Sequence, residues 1–276
     1  MEQLEPQVLL NPCKNFIEGV HLSFKQRMES SAEKAKSNII LALDLPRDKP
    51  SRLLSRSIQI LEYVHPYLCA LKLNRQAVLP LGLFDGVQKI VSRAHDLDLP
   101  TIMDAKINDI GNTNRAIGEY YYSAGFDAVI ASPFVGWEEG LQPVFEVAEH
   151  MRRGVIVLVY MSHKGADEGY GQIVQDPKTG RLAPQYMSFA KKALQWNADG
   201  VIVGATYPEK IQEIHKILKA RMPIYSPGVG TQGGDIEASV RAGARYLIIG
   251  RAIIQAEDIV KAAERFRNLA QKCLES

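Results

Sequence analysis

Cysteine is scarce in this 276-residue sequence, and the three present form no pattern. Cys13, Cys69 and Cys273 are odd in number and far apart, with no CxxC spacing. A disulfide framework and a zinc site are therefore not expected, and free thiols in a reducing cytoplasm are. No apolar run approaches the ~18 residues of a membrane span. The opening "MEQLEPQVLLNPCKNF" lacks the basic start and long apolar core of a secretory signal. Neither sign of charge dominates: 33 Lys and Arg stand against 31 Asp and Glu, a net of +2. That balance gives no reason to expect a nucleic-acid or membrane partner, and pairs such as Arg152-Arg153 and Lys191-Lys192 read as solvated faces. No GxGxxG follows the first apolar run, which speaks against a dinucleotide site there.

What the chain does have is alternation. Short β-branched runs occur at 38–44, 69–74, 100–106, 127–132, 154–160, 199–204, 222–226 and 245–250. Each is followed by a helix-like segment, such as "SRLLSRSIQILEYV" or "PEKIQEIHKILKA". Strands that are apolar throughout and separated by helices belong to a parallel sheet covered on both faces. Eight such repeats close a (β/α)8 TIM barrel; an open doubly wound sheet is the other topology the alternation allows. With no linker-like stretch, residues 38–276 read as one barrel domain. Residues 1–37 read as an N-terminal helical extension, structural in role, that could cap the barrel's bottom. The segment 161–184 is a long Gly-rich connection after the fifth strand, a place where compact domains tend to put function or mobility.

In such a barrel the site lies at the C-terminal ends of the strands. There the sequence places Asp44, Lys72, Asp104, Lys106 and Ser162, then "SPGVGTQGGD" after strand seven and Gly250-Arg251 after strand eight. The last two loops are where these barrels commonly hold phosphate. Gly228, Gly230, Gly233 and Gly234 are expected to let backbone N–H groups approach an anion, Gln232 to donate from its amide, and Arg251 to grip phosphate oxygens in a two-pronged contact. Asp104 and Lys106, two apart on a strand, are expected on one face, beside Asp44 and Lys72. The signs alternate acid, base, acid, base. An ion-pair network that plugs the barrel top is the plain structural reading. A reaction centre is the other, and the phosphate loops favour it. Carboxylates beside the lysines hold them as ammonium groups. An ammonium suits proton delivery and stabilisation of negative charge, and is poor for Schiff-base chemistry.

These residues resemble a known family. "DAKINDI" at 104–110 matches the D-x-K-x-x-D-I signature of orotidine 5'-phosphate decarboxylases, and "LALD", "LKLN", "YMSHKG", "SPGVGTQGGD" and "IIGRAI" agree with it in order. The resemblance runs from the first strand to the eighth. It implies cofactor-independent decarboxylation of orotidine 5'-monophosphate to UMP and CO2, with no metal. Carried over by position, Lys106 is the acid that protonates C6 and Asp104 lies by the substrate carboxylate. Lys72 orients Asp104 and touches the ribose, and Asp44 binds a ribose hydroxyl. Ser162 reads the pyrimidine edge and Pro227 borders the base. Gln232, Gly250 and Arg251 hold the phosphate. Asp109 and Thr113 are implied to reach the neighbouring subunit's site, which makes the protein a homodimer with shared sites; Asp109 is also placed to start the next helix. The insert "YGQIVQDPKTGRLAP" is longer than in compact members. Two other readings stay open: a magnesium-dependent sugar-phosphate decarboxylase or synthase on the same barrel, and a non-catalytic barrel that binds a phosphorylated nucleotide.

Overall fold

The computed structural model describes residues 22–176, 179–230 and 232–275. Its ten strands, in chain order, are β1 (Ile39–Ala42), β2 (Ala70–Asn74), β3 (Thr101–Ile107), β4 (Ala128–Ala131), β5 (Gly154–Tyr160), β6 (Ile173–Gln175), β7 (Leu182–Pro184), β8 (Gly200–Val203), β9 (Ile224–Pro227) and β10 (Tyr246–Ile249). Eight of them close a parallel barrel in the order β1-β10-β9-β8-β5-β4-β3-β2. These are the eight runs read as strands, so the open sheet is set aside. Closure is made by the pairing of β1 with β10, and the side chains suit it: the residues of β1, β4, β5, β8 and β10 are buried throughout, as strands are when helices cover one face and the barrel interior the other.

The remaining pair, β6 and β7, is an antiparallel hairpin inside the long connection after β5. Its base is held by aromatic packing rather than left loose. Tyr170 sits edge-on to Phe134, at 5.4 Å between ring centroids, and tilted against Tyr160 at 5.8 Å.

The barrel's two ends are built differently. The helix Phe24–Ala35 crosses the N-terminal end, started by a capping box in which Ser23 and Gln26 bond each other's backbone. Phe24 is buried against Gly154, where any Cβ would overlap its ring, and Ser31 donates to the Cys69 carbonyl at 2.8 Å. Arg27 and Arg153 reach the buried Asp127 at 3.2 and 2.6 Å, and His95 approaches it at 2.8 Å. Burial alone would raise the Asp127 carboxyl; His95 and the two guanidinium groups outweigh it and hold the group well below the usual carboxylate range. Tyr225 and Tyr246 stack at 4.8 Å to fill the interior near this end. Residues 1–21 of the N-terminal extension lie outside the described residues. The opposite end of the barrel is open and polar.

Candidate active site

A cavity of about 590 Å³ opens at the C-terminal ends of the strands. Its apolar floor comes from inward residues of four strands: Ile130, Leu158, Ile202 and Ile248. Above them lie the charges. Asp104 is the centre: its Oδ2 accepts from Lys72 Nζ at 2.8 Å and its Oδ1 from Lys106 Nζ at 2.6 Å. Lys72 is 4% exposed and Asp104 8%. Burial alone would pull the Lys72 pKa down; the charges of Asp104 and Asp44 overcome it, so its pKa lies above 10.5. Burial would likewise raise Asp104, and the two lysines reverse that, leaving its pKa below 3.8. The centre is therefore a carboxylate clamped between two cations. Asp44 completes the alternation; its Oδ1 is buried with no hydrogen-bond partner among the described residues.

Asp104 and Lys106 meet for a reason other than regular pleating. A regular strand would hold side chains two apart on one face but nearly 7 Å apart. Here the β3–β4 register slips between Met103 and Ile107, and Lys106 takes a left-handed φ of 48°. This bulge folds the lysine back onto its neighbouring aspartate. A non-glycine residue held there costs roughly 1–3 kcal/mol, and such strain is concentrated at functional positions.

The far side of the cavity is the expected anion end. Pro227, Gly228, Val229, Gln232, Gly250 and Arg251 line it. Arg251 has no ion-pair partner among the described residues, so its guanidinium is available to a ligand. The glycine loop works differently from the expectation. The N–H groups of Gly230, Gly233 and Gly234 bond to Gly234, Gly230 and Gly228 carbonyls at 2.9–3.1 Å. They close the loop on itself instead of facing an anion. Of the four glycines only Gly228 lines the cavity. Its φ of 100° requires glycine, and a Cβ there would stand 2.8 Å from Gln232 Oε1. The loop's role is thus to present Gln232, with most of its own amides already used.

Ser162 lines the cavity between the charged centre and this loop. Asp109 and Thr113 do not; both are exposed outside it. Nor does Asp109 cap the next helix. The cap of Gly111–Ser123 is Ile110, without a side-chain bond. Among the described residues the Asp109 carboxylate accepts only from the Ile110 N–H, at 2.7 Å. The turn is tied instead by Asn114, which accepts from the Asp109 N–H and donates to the Gly140 carbonyl, each at 2.9 Å.

Four polar residues of the lining were missed by the sequence reading: Arg47, Asn74, Gln76 and Gln255. Two carried a signal. Asn74 is two residues beyond Lys72 on β2 and so shares its face; Gln255 is one helical turn beyond Arg251. Arg47 sits in the loop after β1, whose path the sequence does not fix, and Gln76 in the first turn of the helix Arg75–Leu81 that directly follows β2. Among the described residues no three His, Cys, Asp or Glu side chains group as a metal site, and no helix is long and apolar enough to cross a membrane.

Comparison with known proteins agrees with this geometry. Residues 37–266 match the model of the family described as orotidine 5'-phosphate decarboxylase / HUMPS. Orotidine 5'-phosphate decarboxylase of Methanosarcina mazei is 36% identical over 225 residues, covering 82% of this chain and 91% of the relative. Among solved structures, the Pyrococcus horikoshii OT3 orotidine 5'-phosphate decarboxylase superposes with a TM-score of 0.69 at 32% identity, covering 86% of this chain and 99% of that one. The Methanocaldococcus jannaschii orotidine 5'-monophosphate decarboxylase complexed with the inhibitor BMP gives 0.71 at 28%, covering 87% and 99%. With a strained lysine folded onto a twice-paired aspartate at one end of the cavity and an unpaired arginine at the other, this chain belongs to the orotidine 5'-phosphate decarboxylase / HUMPS family.

Proposed function

We propose that this chain decarboxylates orotidine 5'-monophosphate to UMP and CO2, a step of pyrimidine biosynthesis. The observation that carries the reading is the Lys72–Asp104–Lys106 clamp facing a cavity whose far rim holds Gln232 and Arg251. The phosphate sits on that rim, where Arg251 forms its two-pronged contact and the backbone at Gly250 lies close. Asp44 and Lys72 bind the ribose hydroxyls. Ser162 reads the pyrimidine edge and Pro227 borders the ring. The substrate carboxylate lies by Asp104. The C6–carboxyl bond breaks, CO2 leaves, and the electron pair stays on C6 until Lys106 delivers a proton there. No adjacent electron sink exists for that carbanion, so fixed charge must stabilise it. The Lys106 ammonium is held for this by a bulge and by Asp104. Phosphate contacts far from C6 supply binding energy for the positioning.

The magnesium-dependent sugar-phosphate reading is less well supported by the donor set. Both Asp104 oxygens already accept from ammonium groups, which leaves Asp44 as the acid of the lining not so engaged. The same proposal includes a homodimer with shared sites in the cytoplasm. Asp109 and Thr113 lie outside their own cavity, on either side of Ile110, which is 67% exposed, and the helix that carries Thr113 also carries the exposed Tyr120, edge-on to the exposed Phe84.

The test is direct. Purified protein is expected to consume orotidine 5'-monophosphate, followed by absorbance, at a rate insensitive to chelator. Lys106→Ala is expected to abolish turnover while UMP binding stays within about threefold, because the proton donor acts in the transition state more than in binding. Magnesium-dependent turnover of a sugar phosphate would sink the reading. UMP binding without wild-type turnover would favour a nucleotide-binding barrel.

A further inference from the structure

We propose that the turn 204–207, which follows β8 and does not line the cavity, is a positioning device. It holds the base-reading serine and the phosphate loop at a fixed separation. The inference rests on the roles given above to Ser162 and Gln232.

The turn grips the last residue of β5 and the chain just after it at three points. The Gly204 N–H donates to the Tyr160 carbonyl at 3.0 Å. Thr206 Oγ1 donates to the Ser162 carbonyl, and Tyr207 Oη to the His163 carbonyl, both at 3.0 Å. Gly204 allows the approach: a Cβ there would stand 2.6 Å from Ser162 Cα. The Tyr207 ring adds an edge-on contact with Tyr160 at 5.1 Å. Two consecutive side chains thus occupy two consecutive carbonyls that water could otherwise have satisfied.

The same turn grips the phosphate loop. The Ala205 N–H donates to the Pro227 carbonyl at 2.8 Å. Gly234 packs so closely on Ala205 that a Cβ there would lie 2.8 Å from the alanine methyl. Across the gap the two loops meet, since a Cβ on Gly228 would be 3.0 Å from Ser162 Cβ. One nucleotide must reach both loops at once, so their separation sets how well it fits. Thr206 therefore acts through Ser162, without touching ligand.

A double-mutant cycle on UMP binding, measured by calorimetry, tests this independently of turnover. Thr206→Val keeps the shape and removes the donor. It is expected to weaken UMP about tenfold, the size of one hydrogen bond. Thr206→Ser is expected to restore wild-type affinity. In a Ser162→Ala background, Thr206→Val should cost less than about twofold, because a residue acting through another has nothing left to position. Ribose 5-phosphate, which lacks the base, should bind all four proteins alike. Full additivity of the two substitutions, or no loss from Thr206→Val alone, would overturn the proposal. If wild type binds UMP but turns nothing over, the decarboxylase reading fails while the cycle still decides this one. If wild type does not bind UMP, both fall.

Discussion

Lys106 concentrates the residue-scale argument. Its φ of 48° is the conformation a lysine avoids, and it puts the ammonium 2.6 Å from Asp104. The sequence made the partners legible through their spacing and their place at a strand end. It did not show the bulge, because a two-residue slip in pairing against β4 leaves no mark on the chemical type of the residues involved. The glycine loop misled for a similar reason: glycines announce freedom of backbone, not the direction of their N–H groups. The clamp predicts a pH signature. Asp104 has its pKa lowered, so its contribution to stability is present above about pH 4, the unfolded carboxyl's range, and is lost as pH falls through the folded value. Lys72 has its pKa raised, so its contribution is present below about pH 10.5 and is lost as pH rises through the folded value. Asp104→Asn leaves the buried Lys72 ammonium short of its main counter-charge, and should cost about 3 kcal/mol on the plateau between those limits. Urea midpoints of the two proteins from pH 3 to pH 11 should converge at both ends. A difference that widens below pH 4 would contradict the clamp.

At the scale of elements, the barrel strands were legible because buried parallel strands need β-branched residues on both faces, and eight runs of that kind are hard to read otherwise. The β6–β7 hairpin was not. Ile173 and Leu182 are its most apolar members and both are exposed, so no buried face imposed an alternating pattern on "QIVQDPKTGRLAP". The helix Phe24–Ala35 shows how cleanly the two barrel ends are divided. Its Phe24 ring fills the space left by Gly154 at the N-terminal end, whereas Lys106 and its neighbours occupy the other end. Phe24→Ala should therefore cost about 3–5 kcal/mol by opening a cavity. Turnover per folded molecule, assayed well below the melting temperature, should not change. A loss of kcat without a loss of stability would mean that the two ends are coupled through the barrel interior.

The whole-molecule prediction turns on Asp109 and Thr113. Both stand in the loop and first turn that follow β3, within nine residues of Asp104 in sequence, yet neither lines the cavity of its own chain. A polar pair so close to the centre along the chain and outside it in space is well placed to complete a second copy's site. In a two-fold dimer the contribution is reciprocal, each subunit lending its Asp109 to the other. Asp109→Ala and Lys106→Ala homodimers should then both be inactive for different reasons. A mixed dimer contains one site lacking both groups and one site with both intact. Equal amounts of the two variants, exchanged by mild denaturation and refolding, should recover about a quarter of wild-type activity, since half of the randomly paired dimers are mixed and half of their sites are whole. Mass spectrometry of differently tagged subunits would count those mixed dimers. Mixed dimers formed in that proportion without recovered turnover would show that Asp109 serves its own subunit, and the exposed apolar residues around Ile110 would then need another explanation.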